Sequence, residues 1–235
     1  MDIDKYWSDI DQRLEKLLKD GYVKLPSLKI YDLEKISKNI SDEMDILTFK
    51  ELGSNHKNFL ETLKVSRYLT PRLYDMAKKI FNFNGEISDQ YHIARKVNPG
   101  NAKEMYRAHF DSHLFTMVIP IKIPKPTGHG TAGELIYFPN SRKMPKNEFI
   151  NIFEKIIHKK YASKLGLEKF AKLNTEKIEN FIELEPIIFI GNTTLHTNHP
   201  VTEDCSSYRL TLLAHFFDNS PRYGIGSFLR LLRSR

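Results

Sequence analysis

Tyr106-Arg-Ala-His-Phe-Asp-Ser-His113, followed by the apolar run of residues 114–123, is the stretch that decides the fold. Residues two apart on an extended segment point to the same face, so His109 and Asp111 can present an imidazole and a carboxylate side by side. Joined by one distant imidazole, such a pair forms the facial triad that holds Fe(II) and leaves three coordination positions open. The stretch therefore predicts a metal site at the start of a buried strand.

Two motifs further along the chain complete the pattern. The strand-like residues 186–190 lead into Gly191-Asn-Thr-Thr-Leu-His196, and Arg209-Leu-Thr211 opens an apolar stretch that runs to residue 217. A His-x-Asp pair alone is weak, because nine His and 29 acidic residues in 235 produce about one such pair by chance. The order of the three motifs is far more specific than any one of them.

With these motifs the chain resembles the Fe(II)- and 2-oxoglutarate-dependent dioxygenases, and most of all their phytanoyl-CoA dioxygenase-like branch. Residues 20–26 are similar to the family's opening strand, and residues 133–141 are similar to the Gly-x-Leu…Pro-Gly-Ser-His segment of that branch. His196 is followed by Pro200-Val201, as in the family. The resemblance implies a mainly β fold with flanking helices, built on a double-stranded β-helix core of the jelly-roll or cupin-like type.

The chain departs from the branch in two places. It has Pro139-Asn-Ser-Arg142 where the branch usually has Gly and then His, so substrate contacts there cannot be carried over. A helical insert of roughly 40 residues, about 144–182, then exceeds ordinary loop lengths. We expect the insert to be a lid over the site, a dimer surface or a buttress on the barrel.

The resemblance implies that His109, Asp111 and His196 ligate Fe(II). His199 is the alternative to His196, which we favour because it follows Gly191 at the family's interval and precedes Pro200-Val201. His113 shares a face with Asp111 but begins the buried strand, so a hydrogen bond to a ligand suits it better than coordination.

Arg209 and Thr211 are two apart on a strand and can point into one cavity. A guanidinium clamps a carboxylate through two hydrogen bonds, and a hydroxyl adds a third. By resemblance this pair binds the distal carboxylate of 2-oxoglutarate. On the preceding strand, residues 87–97, Arg95 and Lys96 occupy a position that often contacts the cosubstrate in this family; outward solvation is favoured for Lys96.

The activity implied is hydroxylation of a C–H bond, using O2 and converting 2-oxoglutarate to succinate and CO2. Asp111 argues against halogenation, which needs its coordination position, while desaturation and cyclisation stay open. A small-molecule metabolite is the expected substrate, and a protein or peptide side chain is the variant. The competing classes are a cupin-like metal protein without 2-oxoglutarate, against which Arg209 and Thr211 argue, and a basic nucleic-acid or partner-binding module, for which no aromatic RNA-binding signature or basic-helix motif is present.

Bulk composition favours one domain, residues 1–235, because a chain of this length with 40% hydrophobic residues can bury a full core. Its N-terminal region, about 1–83, is predicted to be helical at residues 3–19, 33–44 and 70–80, with a short helix at 59–63. Thr70-Pro71 is expected to be an N-cap followed by the first helical residue. Within the insert, helices are expected at 145–161 and 167–173.

The remaining features concern compartment and partners. Three features favour a soluble, cytoplasmic protein. The chain has a single cysteine, Cys205, its start is acidic and unlike a secretory signal, and its apolar runs are shorter than the ~20 residues of a membrane span. The formal charge of +7 suits an anionic substrate or acidic partner, although a lysine-rich surface gives the same number. The basic tail, residues 219–235, is expected to be a frayed or surface-packed terminus. The oligomeric state is left open.

Overall fold

A computed structural model describes residues 3–44, 49–51, 54–101, 105–145, 154 and 156–219. The described strands form two antiparallel sheets, one of six strands and one of three. Helices from the N-terminal third pack on the outer face of the larger sheet and share one core cluster with it. The predicted mainly β architecture with flanking helices is confirmed.

The strands of the larger sheet come from both ends of the chain. Its order is β1-β7-β4-β9-β3-β2, and the order of the smaller sheet is β6-β5-β8. The strands are β1 Tyr22–Lys24, β2 Phe49–Glu51, β3 Gln90–Val97, β4 His113–Lys122, β5 Leu135–Phe138, β6 Lys177–Glu179, β7 Ile187–Ile190, β8 Leu195–Asn198 and β9 Arg209–Asp218. Because β4 and β9 are paired at the centre of the larger sheet, the two long apolar runs of the sequence lie next to each other.

Alternation along β4 and β9 divides their side chains between two environments. Phe115, Met117 and Leu212 belong to the core shared with the helices. Val118 on the opposite face packs with Leu135 of the smaller sheet. The inner faces of the two sheets therefore pack against each other through these residues.

Within the described residues, six helices precede β3: α1 Ile3–Tyr6, α2 Ile10–Asp20, α3 Leu33–Met44, α4 Ser54–Thr62, α5 Val65–Tyr68 and α6 Thr70–Phe81. The helix predicted for residues 3–19 is broken by a turn at residues 7–9. Gly21 ends α2 in the left-handed conformation, with φ 81°, and its N–H donates to Leu17 O at 2.9 Å. None of the described helices is long and apolar enough to cross a membrane.

Two predictions in this region need correction. Thr70 is not an N-cap: Leu69 holds that position, Thr70 is already helical, and its buried hydroxyl has no hydrogen-bond partner among the described residues. The short helix predicted at 59–63 begins at Ser54, and the three-residue strand β2 before it was not predicted.

The insert is not helical throughout. Its described part contains a 3-10 turn, Lys159–Tyr161, and the helix α7 Lys164–Ala171, followed by β6. β6 pairs with β5 and extends the smaller sheet, so the final part of the insert belongs to the barrel. Most of the helix predicted at 145–161 and the tail beyond residue 219 lie outside the described residues.

Candidate metal centre and adjoining cavity

An isolated β-bridge brings His109 and His196 together. The backbone N–H of each donates to the carbonyl oxygen of the other, both at 3.1 Å, and the ring centroids are 4.4 Å apart. His196 lies on β8, whereas His109 lies in the loop before β4. Two imidazoles far apart in sequence are therefore fixed side by side by backbone hydrogen bonds.

Asp111 is held next to this bridge by the turn that follows β7. Its N–H donates to Gly191 O at 3.2 Å, and Gly191 N–H donates to Leu114 O at 2.8 Å. A Cβ added to Gly191 would lie 2.7 Å from His113 O and 3.0 Å from Asp111 Cβ. Glycine is needed here because the two backbone segments approach too closely for a side chain.

The three side chains present donor atoms to one point. Ligand atoms of His109, Asp111 and His196 all lie within 4.8 Å of one another. His109 Nε2 is 3.5 Å from Asp111 Oδ1, and His196 Nε2 is 3.6 Å from Asp111 Oδ2. The Nδ1 atoms donate instead to backbone carbonyls, His109 to Arg107 O at 2.7 Å and His196 to Thr194 O at 3.2 Å. These bonds fix the tautomer that leaves both Nε2 lone pairs available to a metal.

The electrostatics of the cluster suit a divalent cation. Burial alone would raise the pKa of the Asp111 carboxyl, but the surrounding imidazoles, chiefly those of His196 and His215, hold it well below its ordinary range. Burial lowers the pKa of His196 to about 4. At neutral pH the centre therefore offers one carboxylate and a neutral buried imidazole, the forms that coordinate metals.

A cavity of about 740 Å³ opens beside the cluster and is lined by both sheets. Arg209 and Thr211 of β9 and Arg95 of β3 lie in its wall. Arg209 is 2% exposed, and burial together with the charge of Arg95 lowers its pKa. Arg209 Nε and Thr211 Oγ1 are buried without a hydrogen-bond partner in the described part of the chain. Because buried polar groups are nearly always paired, this wall fits a ligand with a carboxylate.

Among solved structures, the chain is similar to a Pseudomonas putida prolyl-4-hydroxylase, with a TM-score of 0.54 and 12% identity over 89% of this chain and 98% of that one. It is also similar to a prolyl hydroxylase from Trichoplax adhaerens in complex with a hypoxia-inducible-factor peptide, with a TM-score of 0.55 and 10% identity over 99% and 96% of the two chains. A third is the non-heme α-ketoglutarate-dependent carbocyclase SnoK of nogalamycin biosynthesis, with a TM-score of 0.50 and 10% identity over 93% and 89%.

The fold is that of the 2-oxoglutarate-dependent oxygenases, with their jelly-roll core. No protein-family model and no curated protein sequence matches the chain. At identities of 10–12% the likeness establishes the fold and not the reaction. The closer resemblance to the phytanoyl-CoA dioxygenase-like branch stays a prediction from the motifs.

The two neighbouring cationic residues of β3, Arg95 and Lys96, lie on opposite faces of the larger sheet. Arg95 is directly opposite Thr211 in the β3–β9 register, lines the cavity and donates to Asn198 Oδ1 at 3.3 Å. Lys96 lies on the other face, with Nζ 4.9 Å from the centre of the Tyr208 ring. The choice that the sequence left open is thus decided by strand alternation, and Arg95 is the residue near the cavity.

The two rival histidines lie outside the cluster. His199 follows β8 and is half-buried, with Nδ1 3.4 Å from the hydroxyl of Tyr106. The ring of His113 stacks on that of Tyr91 and is tilted against that of His215, at centroid distances of 6.2 and 5.1 Å. Neither ring shares the point on which the three donor atoms converge.

Sequence reasoning missed two polar residues beside Asp111. Thr116 of β4 donates its hydroxyl hydrogen bond to Asp111 Oδ2, and His215 of β9 has Nδ1 3.7 Å from the same oxygen. Both line the cavity and are buried. A signal was present: His215 continues the alternation of Arg209 and Thr211 along β9, so all three face inward.

Proposed function

We propose that this protein is an Fe(II)- and 2-oxoglutarate-dependent oxygenase that hydroxylates a C–H bond of a small-molecule metabolite. The observation that carries the proposal is the convergence of His109, Asp111 and His196 beside a cavity whose wall holds a buried guanidinium nitrogen and a buried hydroxyl, both without a hydrogen-bond partner among the described residues. A metal site alone would suit a cupin-like protein, but that protein would have no use for Arg209 and Thr211 in this position.

Each residue has a stated role in this proposal. His109, Asp111 and His196 hold Fe(II) through two nitrogens and one oxygen, a donor set typical of non-heme iron. Arg209 and Thr211 bind the distal carboxylate of 2-oxoglutarate, and Arg95 adds positive charge beside them. When bound, the iron and 2-oxoglutarate supply the oxidising chemistry, in which O2 is consumed, the cosubstrate becomes succinate and CO2, and a substrate C–H becomes C–OH.

The apolar part of the cavity wall excludes water and orients the substrate. Val118, Leu135 and Phe189 are each at most 3% exposed and pack against one another where the two sheets meet. An apolar floor favours desolvated contacts with a carbon skeleton and keeps competing water from the reacting C–H. His109 is the exposed ligand, with 52% of its side chain accessible, so the substrate approaches from its side.

The cavity also supports the choice of substrate class. Its volume of about 740 Å³ lies in the range of small-molecule sites. Lys159 and Ala162 of the insert contribute to its wall, so the insert borders the cavity. A peptide side chain is the second candidate, favoured by the similarity to two prolyl hydroxylases, one of them in complex with a peptide. A reducing compartment such as the cytoplasm is part of the proposal, because Cys205 is a free thiol.

The experiment is an assay for cosubstrate turnover. Purified protein with Fe(II), ascorbate, O2 and 2-oxoglutarate is expected to form succinate slowly without any substrate. Asp111→Ala should abolish this, because it removes a metal ligand, while Asp75→Ala, the same change at an exposed position of α6, should not alter it. Absence of both succinate formation and 2-oxoglutarate binding in the wild-type protein would overturn the proposal.

A further inference from the structure

We propose that Thr116 and His215 are positioning residues that orient the Asp111 carboxylate so that it offers a single oxygen to the metal. The proposal rests on the proposed function, because it concerns the same metal centre, but it assigns a task to two residues that no motif includes. Its basis is a three-member hydrogen-bonded chain that runs from the sheet to the loop carrying Asp111.

The three hydrogen-bonded side chains, Asp111, Thr116 and His215, allow one consistent arrangement of protons. Thr116 Oγ1 donates to Asp111 Oδ2, and the same hydroxyl lies 3.1 Å from His215 Nδ1. A hydroxyl has one proton, so if it serves the carboxylate, the contact with His215 requires Nδ1–H to donate to the hydroxyl oxygen. The protonated Nδ1 then lies 3.7 Å from the same carboxylate oxygen, too far for a hydrogen bond but close enough for a favourable electrostatic contact. The opposite tautomer would leave two acceptors facing each other in a buried site.

The supporting residues lie on paired strands, whereas the ligand that they contact does not. Thr116 lies on the central strand β4 and is paired with Phe189 on one side and His215 on the other. It is 1% exposed, and the His215 ring is stacked on that of Tyr91 and lies against the tilted ring of His113. Asp111 itself precedes the strand, in irregular backbone. A ligand on a loop is thereby fixed by side chains of the sheet.

The consequence is that the two oxygens of Asp111 become inequivalent. Oδ2 is committed to Thr116 and lies near His215, although it is also 3.6 Å from His196 Nε2. Oδ1, 3.5 Å from His109 Nε2, is the oxygen left for a metal. With a metal bound, coordination through one oxygen would leave three positions for the cosubstrate and O2, whereas chelation through both would occupy one of them.

The test is metal binding by the apo-protein, measured by anaerobic titration with Co(II) in the absence of 2-oxoglutarate. Thr116→Val keeps the volume but removes the hydroxyl, and is expected to weaken Co(II) binding by about 10- to 100-fold. Thr116→Ser restores the hydroxyl and should restore affinity. His215→Leu should weaken binding, and His215→Asn, whose side-chain amide places a donor near the position of Nδ1, should recover part of it.

A matched control is available in Thr70→Val. Thr70 is also a buried threonine, but its hydroxyl has no hydrogen-bond partner among the described residues and it lies on α6. Its substitution is expected to leave Co(II) affinity unchanged. Melting temperatures of all variants separate a local effect from unfolding.

Each result decides between the two proposals. Wild-type affinity in Thr116→Val, or equal losses in Thr116→Val and Thr116→Ser, would overturn the positioning role while leaving the oxygenase assignment intact. If Thr116→Val does not fold, equal Co(II) affinity in wild type and His215→Leu overturns it instead. A wild-type protein that binds no Co(II) would remove the metal centre itself and with it the proposed function.

Discussion

The guanidinium of Arg142 lies 3.9 Å from the centre of the Phe110 ring, and Phe110 stands between two of the proposed metal ligands, His109 and Asp111. The same guanidinium donates to Asn192 O at 2.6 Å, in the turn that leads to His196, and to Glu154 Oε2 at 3.0 Å, in the insert. One side chain thus joins the insert to both segments that carry ligands. The described part of the insert therefore contacts the segments that carry the proposed metal ligands, which favours the buttress among the three roles expected for it.

Replacing Arg142 with alanine is expected to loosen this junction. The side chain is 4% exposed, and its loss leaves a buried carbonyl and Glu154 without their donor. Hydrogen bonds to charged groups contribute about 1.5–3 kcal/mol and a desolvated cation–π contact about 2, so the free energy of unfolding should fall by about 2–4 kcal/mol. Urea denaturation measures the loss, and limited proteolysis shows whether cleavage concentrates in the insert.

The control for that prediction is Arg72→Ala. Arg72 forms an ion pair with Asp11 at 2.8 Å, but the two side chains are 38% and 75% exposed. Exposed pairs are worth under about 1 kcal/mol, so the same substitution should have little effect. A comparable fall in the free energy of unfolding in both variants would show that the buried contacts of Arg142 stabilise the fold no more than an exposed ion pair does.

Substitutions in the wall of the cavity are expected to separate binding from stability. Arg209→Lys replaces a two-pronged donor by a point charge and should raise the Kd for 2-oxoglutarate by about 10- to 100-fold. Thr211→Val should raise it less, about fivefold, and should not lower the stability of the free protein, since the hydroxyl has no described partner to lose. Calorimetry with Mn(II) in place of iron, without O2, measures both constants.

Lys96→Met provides the comparison for these two changes. It removes a cation from the same pair of strands, but on the face that carries Tyr208, so 2-oxoglutarate binding should not change. Wild-type affinity for 2-oxoglutarate in Arg209→Lys would contradict the assignment of the anion site. So would a loss of affinity in Lys96→Met as large as the loss in Arg209→Lys.

The metal-free protein is expected to lose stability in mild acid because of His196. Burial lowers the pKa of this imidazole to about 4 from an ordinary value of 6.5, so between these values the unfolded chain binds a proton that the folded chain excludes. Stability therefore falls as the pH drops from 6.5 to 4, by up to about 3 kcal/mol for this group. Denaturation curves at several pH values give the free energy of unfolding as a function of pH. Its dependence on pH should be shallower in His196→Gln than in the wild-type protein, and equal slopes would contradict the prediction.

The sequence predicts those parts of the site that rest on local periodicity. His109 with Asp111, and Arg209 with Thr211, are each two apart on extended backbone, so their shared face follows from strand geometry alone. His215 obeys the same rule but was missed, because no motif draws attention to a histidine in an apolar strand. Its partner Thr116 is recognisable only from the β4–β9 register, which is a tertiary property.

Other features depend on pairing or contacts between distant segments. The strands β2 and β6 have three residues each and exist because β3 and β5 offer them an edge; three residues carry too little periodicity to predict a strand. Arg142 departs from the motif of the phytanoyl-CoA dioxygenase-like branch, and its contacts with Phe110 and Asn192 could not be inferred from its neighbours in the chain.

Gly133 offers a direct test of how Arg209 is placed. Its φ is 80°, and an added Cβ would lie 2.7 Å from Arg209 Cδ and 2.9 Å from Val201 Cγ2. Gly133→Ala is therefore expected to displace the guanidinium and weaken 2-oxoglutarate binding, as well as adding about 1–2 kcal/mol of left-handed backbone strain. Gly100→Ala matches the strain, with φ 75°, but its Cβ would approach only the flexible side chain of Glu203, at 3.0 Å. Both variants should lose stability, Gly133→Ala the more because its Cβ also displaces Arg209 and Val201, and only Gly133→Ala should bind 2-oxoglutarate less tightly. Equal affinities in the Mn(II) titration would show that Arg209 does not depend on this glycine.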